Sequence, residues 1–411
     1  MELVVNADKS PNVAGYRWLT ILSVLIAAGL VLLVAVRWQN YQWDFYMFCG
    51  AARDFASGVS PYKGVGLSFY HPPITLYGYR LFTYLPVHAA YTLWWAMKVS
   101  ALAALLAVWS KHFIKLRPEW PTIVFFLLAF NGAVYSDLVA GNVSTYEELL
   151  LWFGFYQFTR KRYGLFSLCI ILAAQVKITP ILFATLLLVA AARPQWKWFA
   201  GSLLGFGAVF SLNFWLQPEL TRNFLAASSH LDERGADCTS NLALVRDILD
   251  HVRGPGFSDR SHLDEALFLG VVAAVGLLSL RALLAYRKRA ATLDVRVLIY
   301  FSCVVFALVS PRFKAYTYIL LVIPTLYLLR AHWRSLAVPL AVCAVTGLVL
   351  FPQAQSLLPV RYAFKLFNDY LPLAGSFAVW FAYLSHLKYL SSSDASEVNS
   401  GASSALAPMA L

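Results

Sequence analysis

The sequence predicts an all-α polytopic membrane protein, and three observations carry that prediction. Hydrophobic residues make up 60% of the 411 positions and charged residues only 13%. The apolar residues fall in repeated blocks of about 16 to 22, the length an α-helix needs to cross a bilayer core. Lys and Arg gather in alternate short connections between these blocks, as retention of basic residues in the cytoplasm requires. No polar stretch is long enough to build a soluble core, the longest being 217–264, so residues 1–390 read as a single membrane domain. The Ser/Ala-rich segment 391–411 reads as a disordered cytoplasmic tail.

The first apolar block, 17–36, has Arg on both flanks and no small-residue cleavage site, which makes it a retained span and not a signal peptide. A polar, aromatic and turn-rich insert follows over 42–73. Within it Phe45, Phe48, Ala52 and Phe55 recur at helical spacing, predicting an interfacial helix over 44–57 closed by Gly58. Residues 72–86 carry two prolines on a short apolar run and predict a re-entrant or interfacial piece. A full span there would move the Lys111 connection to the other side and break the alternation of basic loops. Further spans are predicted at 87–110, 119–139, 143–160, 163–178, 180–192, 197–216, 265–286, 294–310, 315–330, 335–352 and 370–390, giving about twelve.

The basic groups at Lys111/Lys115/Arg117, Arg160/Lys161/Arg162, Arg193/Lys197, Arg287/Lys288/Arg289 and Arg330/Arg334 then share one side with both termini, the cytoplasmic side. Topology thus accounts for much of the net charge of +12, and nucleic-acid binding is not needed to explain it. Arg222, Arg234, Arg246, Arg253, Arg260, Arg312, Lys314, Arg361 and Lys365 lie on the outer side against this bias. There they suit an anionic group such as a lipid phosphate, or they pair with loop acids and lipid head groups. Of the five cysteines, Cys169, Cys303 and Cys343 fall in spans and act as small apolar residues. Cys49 and Cys238 face the outer side, where an oxidising compartment would let them pair.

With this topology five polar features converge on the outer face: the Asp44 insert, Gly141-Asn142-Val143-Ser144, Lys177-Ile178-Thr179-Pro180, the loop around Asn241, and Ser310-Pro311-Arg312-Phe313-Lys314. Asp44 stands where an N-cap would stand, and equally where a general base would meet an acceptor hydroxyl. Lys177 ends one span at a helix break, positioned either to snorkel to the interface or to meet a phosphate. Arg312 and Lys314 sit in a Pro-broken connection, as solvated loop charges or as phosphate ligands. His71, before Pro72-Pro73, suits fixing the local turn better than titrating. Glu147 and Glu148 are placed to cap the helix that begins at 143. There is no Asp-x-Asp, no close carboxylate pair on the outer side and no Cys/His cluster with ligand spacing, so neither a metal nor another cofactor is expected. No Gly-rich phosphate loop follows a strand.

Asp44-Phe45-Tyr46 with Gly58-Val59-Ser60-Pro61-Tyr62, then Tyr70-His71-Pro72-Pro73 and Leu85-Pro86, resemble the opening motifs of glycosyltransferase family 87 of the GT-C class. That family contains polyprenyl-phosphate-mannose-dependent α-mannosyltransferases. Gly141-Asn142-Val143-Ser144 resembles its Gly-Gln-x-Asn element, Val176-Lys177-Ile178-Thr179-Pro180 its Ile-Lys-x-Thr-Pro, Ser240-Asn241-Leu242-Ala243-Leu244 its Asn-x-Ser-Leu, and Ser310-Pro311 its late Ser-Pro. The likeness keeps the order of every element over about residues 15 to 390. Where the family carries a His six residues after that Ser, this chain has Tyr316.

The resemblance implies a GT-C-like bundle in a bacterial inner (plasma) membrane, with its active site outside the cytoplasm. It implies inverting transfer of a hexose, mannose favoured, from a polyprenyl-phosphate donor to a glycolipid or glycan hydroxyl. Asp44 would be the base, Lys177, Arg312 and Lys314 would hold the donor phosphate, and Tyr46, Tyr62, His71, Asn142, Asn241 and Tyr316 would face the substrates. Two other readings stay open at this stage. One is a transporter or flippase of lipid-linked saccharides, disfavoured by the lack of an internal repeat. The other is an inactive accessory member of the family. The topology is testable: reporter fusions should place both termini and the Lys111, Arg160 and Arg287 connections in the cytoplasm, and residues 217–264 outside. A cytoplasmic 217–264 loop would separate the five features and dissolve the site.

Overall fold

Leu and Ala lose little on entering a helix, and a backbone kept from water must satisfy its own hydrogen bonds, so the apolar blocks become helices. The computed structural model describes residues 42–62, 69–114, 120–229, 232–235, 238–254, 256–257, 262–289, 294–331, 366 and 369–404. Every regular element among these residues is helical. In chain order they are α1 Trp43–Ala56, α2 Ile74–Thr83, α3 Val87–Val108, α4 Trp120–Ala140, α5 Ser144–Thr159, α6 Tyr163–Val176 and the short α7 Leu186–Val189. There follow α8 Trp196–Leu216, α9 Pro218–Ser229, α10 Asn241–Arg253, α11 Leu263–Arg289, α12 Val295–Val309, α13 Ile319–Ala331 and α14 Leu371–Ser404.

Three of these are long and apolar enough to cross a membrane: Val87–Ile114, Trp196–Leu216 and Leu263–Lys288. Outward side chains such as Trp215 (80% exposed) and Leu277 (68%) give α8 and α11 faces suited to lipid. Among the described residues these three, with several shorter apolar helices, stand where the sequence predicts twelve spans. The spans predicted at 163–178, 180–192, 294–310 and 315–330 are realised as shorter apolar helices. The reason is local: Lys177 is extended and ends α6, Thr179–Thr185 is a 3₁₀ turn opened by Pro180, and Ala315–Tyr318 is a second 3₁₀ turn after Pro311. The span at 119–139 breaks midway, where Phe130, Asn131 and Gly132 take positive φ. Asn-Gly tolerates this conformation, and the buried Ala129 and Phe130 beside it keep the irregular backbone inside protein. The spans at 17–36 and 335–352 lie outside the described residues, as do Cys343, Arg260, Arg361 and Lys365. α14 runs on as helix through residues 391–404.

Two apolar clusters organise the chain. The larger joins α4, α5, α6, α12, α13 and α14 with the second half of α3. The smaller joins α1, α2, the first half of α3 and Phe224 of α9. Its centre is aromatic: Phe45 stacks on Trp94 at 4.7 Å, Phe48 stacks on Tyr79 at 4.7 Å, and Tyr62 lies 5.7 Å from Phe224. α1 and α2 therefore form a cap seated on one end of the bundle. Asn213 of α8 fastens it by accepting the Ile74 N–H at 2.8 Å, one of the orphan donors at the start of α2. At a different set of helix ends, His112 stacks on Tyr156 near Arg160, and Arg287 donates to the carbonyls of Val189 and Ala191 near Arg193. These contacts join in pairs the basic connections that the sequence assigns to one side.

The cap meets the bundle most closely at Gly141, between α4 and α5. Its φ is +69°, and an added Cβ would lie 2.9 Å from Cβ and 3.0 Å from Cα of Gln42, the residue that opens α1 and donates its N–H to the Val139 carbonyl. Gly141→Ala should therefore push α1 off the bundle and destabilise the fold by about 1–3 kcal/mol, read as a lower thermal midpoint in detergent. An unchanged midpoint would show that the turn relaxes without moving α1.

Candidate active site

The turn after Gly141 builds the centre of the site. Asn142 donates from Nδ2 to Oδ2 of Asp44 at 2.6 Å and accepts at Oδ1 from the N–H and the hydroxyl of Ser144, each at 3.1 Å. A backbone N–H only donates, so the amide can face one way only, with its nitrogen toward Asp44. The expectation that Asp44 caps its own helix is corrected here. The N-cap of α1 is Gln42 in a left-handed conformation, and no side chain caps that end. Asp44 sits in the first turn, 8% exposed, with Asn142 as its hydrogen-bond partner. Burial raises its pKa above the ordinary value, and the bond from Asn142 and the charge of Lys314 offset part of that rise.

Asp44 opens onto a cavity of about 450 Å³, within the range of roughly 300 to 1,000 Å³ usual for small-molecule sites. Three cations also line it. Lys177 pairs with Glu147 at 2.6 Å and donates to Ser144 Oγ at 2.9 Å. Arg312 Nε meets Glu233 Oε2 at 2.6 Å, and Lys314 meets Oε1 of the same carboxylate at 2.8 Å. Burial tends to raise Glu233, but the hydrogen bonds and charges of Arg312 and Lys314 outweigh it and hold the carboxyl below its ordinary pKa. Aromatic faces complete the wall, with Lys177 and Lys314 5.7 and 5.8 Å from the Tyr316 ring centre and Arg312 5.0 Å from that of Tyr70.

The other predicted residues divide by geometry. Asn142, His71 and Tyr316 line the cavity. His71 Nδ1 lies 2.8 Å from the Val176 carbonyl, which can only accept, so the ring carries its proton there and leaves Nε2 as an acceptor. Burial pushes its pKa down to about 3, and it stays neutral while tying the cap to the end of α6 beside Lys177. Tyr46, Tyr62 and Asn241 do not line this cavity. Tyr46 is 59% exposed on the outer face of α1. Tyr62 is buried and donates to the His71 carbonyl at 2.7 Å. Asn241 donates to the Leu308 carbonyl at 2.7 Å, Ser240 to that of Pro311 at 2.6 Å, and the Thr239 N–H to that of Phe313 at 3.0 Å. The bonds from Ser240 and Thr239 hold the 310–314 segment against the loop, and Asn241 fastens the end of α12 just before it. Ser240 meanwhile caps α10 by accepting from Ala243 N.

Other expectations are also revised. Glu147 and Glu148 cap nothing: Glu147 is the partner of Lys177, and Glu148 is fully buried behind it. Cys49 and Cys238 are free buried thiols in separate surroundings. Of the outer basic residues, Arg234 pairs with Asp232 and Asp250, and Arg246 with Asp232 and Asp264. Among the described residues no group of three or more His, Cys, Asp or Glu side chains is placed to hold a metal ion. Three site groups were not singled out from sequence: Glu233, Lys98 and Asp137. Glu233 has no distinguishing neighbours in the chain. Lys98 and Asp137 did carry a signal, since each is an ionisable residue inside a predicted span.

The family model for glycosyltransferase family 87 matches residues 69–311. No curated protein and no solved structure matches the chain. The match covers His71, Asn142, Lys177, Glu233 and Asn241, whereas Asp44, Arg312 and Lys314 lie outside its bounds and enter the site through the fold.

Proposed function

The chain belongs to glycosyltransferase family 87, and from that premise we propose that it is an inverting enzyme that moves one sugar from a polyprenyl-phosphate donor to a hydroxyl of a glycolipid or glycan. Mannose is the favoured sugar. The observation that supports this reading is a single cavity lined by a buried carboxylate and by three cations. The Asp44 carboxylate takes the proton of the acceptor hydroxyl as that oxygen attacks the anomeric carbon. The bond from that carbon to the phosphate oxygen breaks on the opposite face, and its electron pair leaves with the lipid phosphate. Lys177, Arg312 and Lys314 stabilise that departing charge, and being already fixed by Glu147 and Glu233 they need little reorganisation to do so. The neutral His71 and the Tyr316 ring line the same cavity. The site opens on the non-cytoplasmic face of a bacterial inner membrane, with both termini in the cytoplasm.

Asp44→Asn keeps the size and one oxygen of the side chain but cannot accept a proton. Transfer should fall by about 10² to 10⁴ while expression and thermal stability hold. In the wild type only the ionised carboxylate is a base, and its pKa is raised above 3.8. Activity should therefore persist at neutral pH and decline as pH drops through that raised value, a limb that the Asn variant lacks. Wild-type turnover in Asp44→Asn would remove Asp44 from the chemistry.

The three cations supply the charge that a divalent ion would otherwise supply at the leaving phosphate. Activity should then survive EDTA. Loss of turnover in the chelator, restored by added divalent metal, would show that the leaving group is neutralised in another way.

A further inference from the structure

Lys98 and Asp137 lie beneath the cavity, both at 0% exposure, one on α3 and one on α4. The Lys98 ammonium has three protons and three acceptors: Oδ2 of Asp137 at 2.7 Å, the Asp137 carbonyl at 2.6 Å and the Asn142 carbonyl at 2.5 Å. Oδ2 of Asp137 also takes the hydroxyl proton of Thr145 in the first turn of α5. The Asp137 carbonyl further accepts from the N–H of Gly141 at 3.1 Å and of Asn142 at 3.4 Å. The ion pair thus ties α3, α4, α5 and the turn between them, and the third bond of its ammonium ends on the residue whose side chain holds Asp44. A buried ion pair is weak evidence for stability, because two apolar side chains would fill the same space at no greater cost. Its retention beneath a site is better explained by what it orients.

We propose that the Lys98–Asp137 pair is a positioning device for the base, fixing the backbone of Asn142 so that its amide meets Asp44 in the orientation proton transfer requires. Neither residue lines the cavity, so both act through Asn142 and not on substrate. The inference rests on Asp44 being the base. Asp44 is also faced by Lys314 and Tyr316 from the segment after α12 and by Tyr79 from α2, all of which the test leaves in place.

The test measures transfer against pH for the wild type, Asp44→Asn, Asn142→Ala, the double variant Lys98→Met with Asp137→Asn, and that double variant combined with Asn142→Ala. Both charges are removed together because loss of one would strand the other. An amide at position 137 still accepts from Thr145, and thermal unfolding in detergent confirms that each variant is folded. The charges of Lys98 and Asp137 act on Asp44 in opposite directions, so their joint removal leaves the loosened Asn142 bond as the main change. That bond favours the carboxylate, and weakening it raises the Asp44 pKa. The acid limb should move to higher pH by about one to two units in Asn142→Ala and in the double variant alike. The rate constant kcat should fall while KM for the donor stays near wild type. The combined variant should move no further than either alone, since both act through one bond. An acid limb that stays in place in the folded double variant, or shifts that add in the combined one, would overturn this role. If Asp44→Asn is inactive in that same outcome, the base assignment stands and only the positioning role falls. An active Asp44→Asn would overturn both.

Discussion

An ammonium sealed between helices needs an opposite charge and an acceptor for each proton, and Lys98 finds all of these at the joint of α3, α4 and α5. The arrangement of the site follows from that demand. Two of the three acceptors belong to Asp137 and the third to Asn142, so the turn between α4 and α5 takes a defined course. Gly141 is part of the same constraint, since a positive φ and contact with Gln42 bring the start of α1 against the turn. Asp44, one residue into α1, is then delivered to the Asn142 amide. A carboxylate from the cap and an ammonium within the bundle are joined through a single asparagine.

The same turn reaches Lys177. Ser144 gives its proton to Asn142 and accepts from Lys177 with its lone pair. The group that would take a proton and a group that would receive a departing anion are three hydrogen bonds apart through Asn142 and Ser144. A change of backbone at 142–144 should be felt at both. The far cations are held independently, by Glu233 and by the 238–241 loop. Each cation therefore has a carboxylate partner, and an incoming phosphate meets preorganised charge in place of loose side chains.

The cost of this arrangement falls on Asp44. Its raised pKa means that the folded chain binds the proton more tightly than the unfolded chain does, so ionised Asp44 opposes folding at neutral pH. The sign is the reverse of the usual stabilising carboxylate, since this contribution improves as pH falls through the raised pKa. Glu233 shows the ordinary case, held below its usual range by two cations, and its contribution is lost as acid protonates it. Two carboxylates of one cavity are thus tuned in opposite directions by burial and by pairing.

Composition and periodicity are enough to read the helical class, the helix α1 and the short α2, because amphipathic spacing and helix punctuation are local properties of the chain. The alternation of basic loops was legible for the same reason. Motif order assigns Asp44, Asn142, Lys177, Arg312 and Lys314 to one face, and the fold sets all five around one cavity. Sequence alone did not show that Asp44 leaves its capping role, since that depends on an amide 98 positions away. Nor did it show that Tyr46 points outward, that Asn241 serves backbone, or that Arg312 and Lys314 share Glu233. Pro and buried turns interrupt several apolar runs into shorter helices, and hydropathy is blind to whether burial is in lipid or in protein. Which ionisable residues meet is a question of helix packing, and only the tertiary structure brings Lys98 of one apolar helix to Asp137 of another.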